Sequence, residues 1–335
     1  MGYLETPGPE QKLKITVSYY RDPEKNAYIL SAYDRYGASG SFGGKAHEAE
    51  EVIRQPVLFI HGNADSALFH AELTATGWDA SIATFKNDGY KNGELYGLTY
   101  GERDIMKAAN TRLNCAELMG FRRLAEAVLN YTKADKIDII GHSMGVTIGR
   151  KIVKGGKAKL SGEECDLGAP LSEKVDAFIG LAGANYGMCM CLHIANASSC
   201  DSSDGYFPGV CGSKDKMQCS EANEDCVQDS YGSFLKAIND DERKEGTFVG
   251  SFWGANDQVL GLNNLVWGRR TSVIPQSDHF EELPEYNHFT VKSHTPEIQL
   301  HLVSRHSLPE MKKAGKHHAH VHHKLRHTRH IPLVI

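Results

Sequence analysis

The stretch Ile137-Asp-Ile-Ile-Gly-His-Ser-Met-Gly-Val-Thr-Ile-Gly-Arg150 constrains this chain more than any other. Ile137, Ile139 and Ile140 form a short β-branched run, as expected of a parallel strand buried on both faces. Val146, Ile148, Ile152 and Val153 recur at helical spacing directly after it. Between the two, Gly141-x-Ser143-x-Gly145 predicts a sharp turn from strand to helix with a serine at its tip. Both glycines have a steric job there, because a side chain at either place would collide with the converging backbone. A serine presented in this way is a candidate nucleophile. A hydroxyl is a poor nucleophile unless a base takes its proton and a pair of donors receives the oxyanion. The main-chain N–H of Met144 is the first such donor expected.

The remaining parts are sought in a definite order. Gln55-Pro-Val-Leu-Phe-Ile-His61-Gly62-Asn63 reads as a second apolar strand ending in a turn. Gly62 lets that turn bring an N–H toward the strand ends. The N–H of Asn63 is the expected second donor, with that of Ala64 the alternative, and His61 is read as holding the loop. Downstream, Thr247–Trp253 reads as a strand. Asp257 then lies just past its end, where catalytic groups gather in open α/β sheets. Thr271–Pro275 reads as the last strand, followed by His288 and a final helix near Glu297–Ser304. In the order serine, acid, histidine, the acid is Asp257 and the base His288. Asp278 and His279 are the rivals, but they follow the expected last strand too soon to reach back easily.

Strands are also expected over Leu95–Tyr100 and Val175–Leu181, with an edge strand starting at Ile15. A helix is expected over Arg112–Tyr131, with Leu118, Phe121, Leu124, Ala125 and Val128 on one face. Six or more strands alternating with helices argue for a mostly parallel central sheet with helices on both faces. Three regions follow. Residues 1–50 form an N-terminal extension, residues 51–305 the main domain, and residues 306–335 a tail rich in His, Lys and Arg that reads as disordered.

Inside the main domain, residues 186–230 break the alternation. They are rich in Cys, Ser, Gly and Asp, and they fall between the strand after the serine and the expected acid, where a lid over the site would sit. The chain has eight cysteines, of which Cys189, Cys191, Cys200, Cys211, Cys219 and Cys226 cluster there, with Cys115 and Cys165 upstream. An even, clustered set predicts disulfides and an oxidising, extracellular compartment, with the pairing left open. A zinc site is the rival, but no ladder of Cys-x2-Cys pairs occurs. Asn130-Tyr-Thr and Asn196-Ala-Ser are glycan acceptor patterns. The N-terminus lacks the apolar core of a secretion signal, so secretion implies a leader that this sequence lacks.

The net charge of −5 gives no nucleic-acid footprint, and no apolar run is long enough to span a bilayer. No cofactor and no metal is expected.

Several further motifs have no generic reason to occur together: Ser41-Phe-Gly-Gly-Lys45, Asp65-Ser-Ala67, Thr76-Gly-Trp78, Glu94-Leu-Tyr96, Gly183-Ala-Asn185 and Leu265-Val-Trp-Gly-Arg269. With Gln55–Asn63, Gly141–Thr147 and Trp253-x-x-x-Asp257, they make the chain resemble the class 2 lipases from about Gly37 to Ser304. Within these it resembles the cysteine-rich secreted form found in nematodes. The resemblance implies an α/β-hydrolase fold and hydrolysis of acylglycerol-like lipid esters, at a lipid–water interface where the substrate is insoluble. It also implies a triad that falls on Ser143, Asp257 and His288. A short-chain carboxylesterase with the same triad, or an inactive lipid-binding protein on the same fold, are the alternatives.

Overall fold

The computed structural model describes residues 40–309, apart from 48, 70–75, 195, 212–230 and 262–263. The edge strand expected from Ile15, the tail beyond 309, and Cys219 and Cys226 lie outside the described residues. In chain order the strands are β1 (Ser41–Phe42), β2 (Val57–Ile60), β3 (Leu95–Leu98), β4 (Ile137–His142), β5 (Lys157–Leu160), β6 (Glu163–Asp166), β7 (Val175–Leu181), β8 (Phe248–Gly254), β9 (Leu265–Val266), β10 (Arg269–Arg270) and β11 (His279–Leu283). The helices are α1 (Asp79–Asn87), α2 (Cys115–Thr132), α3 (Met144–Lys154), α4 (Ser233–Asn239), α5 (Thr290–Ser293) and α6 (Pro296–Arg305).

Seven strands make one sheet in the order β1-β3-β2-β4-β7-β8-β11. Every neighbouring pair is parallel except β1 with β3. The central strand β4 is buried along its whole length, as are β2 and β8. That double burial explains their near-continuous apolar sequence. Two helix groups pack against the sheet, α2 with α3 and α4, and α1 with α6. The helix expected over Arg112–Tyr131 begins instead at Cys115. The Asn114 side chain caps it by accepting from Glu117 N at 2.9 Å, and Lys133 ends it in the left-handed region at φ 60°. Its predicted apolar face is fully buried.

The expected last strand is in the wrong place. Thr271–Pro275 carries no strand; it is a largely buried loop, two of whose N–H groups are met by side chains. Ser272 N donates to Asn264 Oδ1 at 2.9 Å and Ile274 N to Ser251 Oγ at 2.9 Å. The last strand is β11, paired in parallel with Gly250–Gly254 of β8. Its sequence, His-Phe-Glu-Glu-Leu, escapes an apolar search because an edge strand is only half covered. His279 therefore begins the last strand rather than following it. The hairpin β5–β6 had no place in the sequence reading either. Its Ser161-Gly162 turn has both residues at positive φ, the geometry favoured in two-residue hairpins.

Among the described cysteines, Cys115 pairs with Cys165, Cys189 with Cys211 and Cys191 with Cys200. The first bond ties the start of α2 to the β5–β6 hairpin. The other two cross-link the described part of the 186–230 segment.

Phe59 of β2 anchors an aromatic cluster, with ring centroids 5.1 Å from Trp78 and 5.5 Å from Phe85. Replacing it by alanine leaves a cavity in a rigid core. Phe59→Ala is expected to lower unfolding free energy by about 3–5 kcal/mol, measured by urea denaturation.

Candidate active site

β4 hands the chain to α3 through a single strained residue. Ser143 has φ 52° and ψ −121°, a conformation rare for a side-chain-bearing residue. It is held there by its neighbours: its N–H donates to Leu181 O at 2.8 Å and its carbonyl accepts from Val146 N at 3.0 Å. Gly145 meets the main-chain carbonyls of Ile60 and His61 so closely that no methyl group fits. A Cβ on Gly141 would lie 2.8 Å from Gly145 O. The glycine spacing therefore does the steric work expected of it, and the serine projects from the end of the central strand, half-buried.

Asp257 and His288 reach this serine from the two neighbouring loops. His288 Nε2 lies 3.1 Å from Ser143 Oγ, and His288 Nδ1 lies 2.8 Å from Asp257 Oδ2. The other carboxylate oxygen of Asp257 accepts from Val259 N at 2.9 Å and Leu260 N at 2.8 Å, which fixes its orientation. The histidine loop lies directly on the end of β8. Gly254 leaves room for the Tyr286 carbonyl, which also accepts from Asn256 N at 3.0 Å. Asn287 then starts α5 by accepting from Thr290 N at 2.9 Å. Asp257 and His288 are both buried. A buried carboxylate on one ring nitrogen and a hydroxyl on the other is an arrangement that can take a proton from serine and stabilise the imidazolium formed.

The turn after β2 runs beside the serine. A Cβ on Gly62 would lie 2.9 Å from Ser143 Cβ. Asn63 follows, its side-chain Nδ2 donating to Ala108 O at 2.8 Å. Met144 is the first residue of α3, where no preceding turn supplies a carbonyl for its N–H. Asn63 and Met144 both line the cavity that opens beside Ser143.

His61 does not join this group. Its Nδ1–H donates to Gly62 O at 2.7 Å, its Nε2 accepts from Tyr100 N at 3.1 Å, and its ring stacks on Tyr100. Burial pushes its pKa down to about 4. The neutral ring holds the loop, with both nitrogens used. The rivals Asp278 and His279 are engaged elsewhere, Asp278 with Lys244 and His279 with Glu281.

One residue of the site was missed from sequence. His142, just before the serine, donates from Nε2 to the carbonyl of His288 at 2.7 Å. Burial, and then the neighbouring His288, push its pKa well below the usual histidine value, so it stays a neutral donor. Its place in the Gly-x-Ser-x-Gly motif is the one signal that the sequence carries.

A cavity of about 280 Å³ opens beside Ser143 and His288. Its apolar wall includes Ile105 and Ala108, Phe289 next to the histidine, and Met188, Met190 and Ile194 from the cross-linked 186–230 segment. Among the described residues, no group of three or more His, Cys, Asp or Glu side chains is arranged to hold a metal ion. Among them, too, no helix is long and apolar enough to cross a membrane.

Residues 54–301 match the family described as lipase (class 2). The chain belongs to the class 2 lipases. Its fold is that of the α/β-hydrolases, and its class of activity is carboxylester hydrolysis. Among solved structures it is similar to the mature lipase BlEst2 of Bacillus licheniformis, at 13% identity and a TM-score of 0.44 over 80% of this chain and 98% of that one. It is also similar to a monoacylglycerol lipase of Paleococcus ferrophilus, at 12% identity and a TM-score of 0.38 over 74% and 88%. A third likeness is to carboxylesterases of the thaumarchaeon Nitrososphaera gargenis, at 14% identity and a TM-score of 0.39 over 78% and 91%. No curated protein matches the chain.

The neutral state of His61 has a consequence for stability. Its folded pKa of about 4 lies below the ordinary value of 6.5, so between those values the unfolded chain binds a proton that the folded one refuses. Stability supplied by neutral His61 is present above pH 6.5 and is lost as pH falls toward 4. His61→Asn keeps a donor and an acceptor without titrating. Between pH 7 and pH 4.5 this variant is expected to lose about 2 kcal/mol less than wild type, read from urea midpoints.

Proposed function

We propose that this class 2 lipase hydrolyses acylglycerol-type lipid esters through an acyl-enzyme on Ser143. The carrying observation is the hydrogen-bond series Ser143–His288–Asp257 at the mouth of an apolar cavity. His288 Nε2 takes the proton as Ser143 Oγ attacks the ester carbonyl carbon. Asp257 holds the ring with Nδ1–H toward itself and stabilises the imidazolium. The N–H groups of Asn63 and Met144 receive the oxyanion. The tetrahedral intermediate collapses, and the alcohol leaves with the proton from His288. Water then repeats the cycle, releasing the fatty acid and restoring the serine.

The surroundings favour an insoluble substrate. Ten large apolar side chains are exposed among the described residues, and six of them (Ile105, Met106, Met190, Leu192, Ile194 and Phe289) belong to the short segments that frame the cavity. A rim of this kind fits a lipid surface, which delivers an ester chain into the cavity it borders. Residues 186–230 are the cap of the site in this reading, with 51–305 the catalytic domain, 1–50 its N-terminal extension and 306–335 a tail outside it. The disulfides favour secretion.

A fluorophosphonate probe is expected to label wild type and to miss Ser143→Ala; equal labelling would remove the serine from its role. His288→Ala should lose at least about 10³-fold in kcat on a soluble short ester. The double variant Met106→Asp with Leu192→Asp should keep wild-type turnover of that soluble ester and lose most activity on emulsified triacylglycerol. Unchanged emulsion activity would dismiss the rim and leave the short-chain esterase reading.

A further inference from the structure

Two motifs noted in the sequence, Asp65-Ser-Ala67 and Thr76-Gly-Trp78, play no part in the chemistry above, yet the fold gathers them around one buried cation. Lys292 of α5 is fully buried, and its Nζ donates to Asp65 Oδ2 and, at 2.7 Å, to Gly77 O. Gly77 N donates in turn to Asp65 Oδ1 at 3.1 Å, and Trp78 N to Ala67 O at 3.0 Å. The Trp78 ring lies under the ammonium, 5.2 Å from its centroid. Asp65 and Lys292 stand 227 residues apart in the chain.

Stability alone is a poor reason for such a pair. Removing two charges from water costs several kcal/mol each, and well-packed apolar residues often serve a core as well or better. A salt bridge does supply directional bonds, which set both the separation and the orientation of the segments it joins. The segments here are informative. Asp65 lies two residues after Asn63, in the turn beside the serine, and Lys292 lies four residues after His288. Lys292 is fixed from its other side as well, its carbonyl accepting from Gln299 Nε2 at 2.7 Å.

We infer that Asp65 and Lys292 are positioning residues that lock the oxyanion turn to the histidine loop, so that Asn63 N–H and His288 Nε2 face the same reacting carbonyl. This rests on the roles proposed above for Ser143, Asn63 and His288. Neither residue touches substrate. The pair acts where geometry matters most: the oxyanion contact forms in the transition state, and a displacement of about 1 Å can cost about 100-fold.

The test separates holding the fold from setting the geometry. Asp65→Leu combined with Lys292→Met replaces the pair by apolar groups of similar length. The double variant is expected to melt within a few degrees of wild type. Its kcat on a soluble short ester should fall by about 30-fold or more, with KM changed less than about threefold. An oxyanion-forming trifluoromethyl ketone inhibitor should lose affinity in proportion to kcat. Wild-type kcat in the folded double variant would overturn the inference. Should that variant not fold, Lys292→Arg decides: it keeps the charge but moves its anchor point, so lowered kcat at constant KM supports the lock and wild-type kcat refutes it. Fluorophosphonate labelling of wild type keeps the outcomes apart, because its absence would fail the Ser143 reading and not the lock alone.

Discussion

The site depends on one close approach of backbone to backbone. Gly145 allows the first turn of α3 to rest on the carbonyls of Ile60 and His61, at the end of the adjacent strand β2. That contact brings the serine turn and the turn after β2 side by side. Gly62 repeats the device from the other side, leaving no room for a side chain against Ser143 and His142. The left-handed conformation of Ser143 is tolerable only because bonds to Leu181 and Val146 over-determine it. Strain at one residue is thus held by the buried central strands of the sheet.

Around this contact the histidines differ in their hydrogen-bond partners. His61 and His142 are sealed from water and held neutral, each with an N–H spent on a main-chain carbonyl. His288 differs in having a carboxylate on one nitrogen and a hydroxyl on the other. Desolvation penalises charge on the rings of His61 and His142, and neither has a carboxylate within hydrogen-bond distance.

The cysteine-rich segment solves a different physical problem. Its few aliphatic side chains cannot form a core of their own. Two disulfides instead hold Met188, Met190 and Ile194 at the cavity wall, so apolar groups can face the site without folding inward. Cross-linking acts on the unfolded chain as well, lowering the entropy lost when such a loop is ordered. The outcome is an apolar rim on a polar, glycine-rich excursion.

Local pattern alone was enough for the central strands β2, β4, β7 and β8, for α2, and for the serine turn. Buried strands are continuously apolar, and a turn with no space must contain glycine. The sequence also singled out Ser143, Asp257 and His288, since chain order and strand ends limit the candidates to a few, and the fold brings these three side chains within hydrogen-bond distance. The tertiary structure alone decided that Thr271–Pro275 is a buried loop and that the half-exposed His279–Leu283 is the last strand. The N–H groups of Ser272 and Ile274 are met by the side chains of Asn264 and Ser251, and β11 is met by the main chain of β8, none of which a local pattern records. Tertiary structure likewise decided the partners of His142, Asp65 and Lys292. A polar residue in a core is legible only through its partners, and those of Lys292 lie more than 200 residues away.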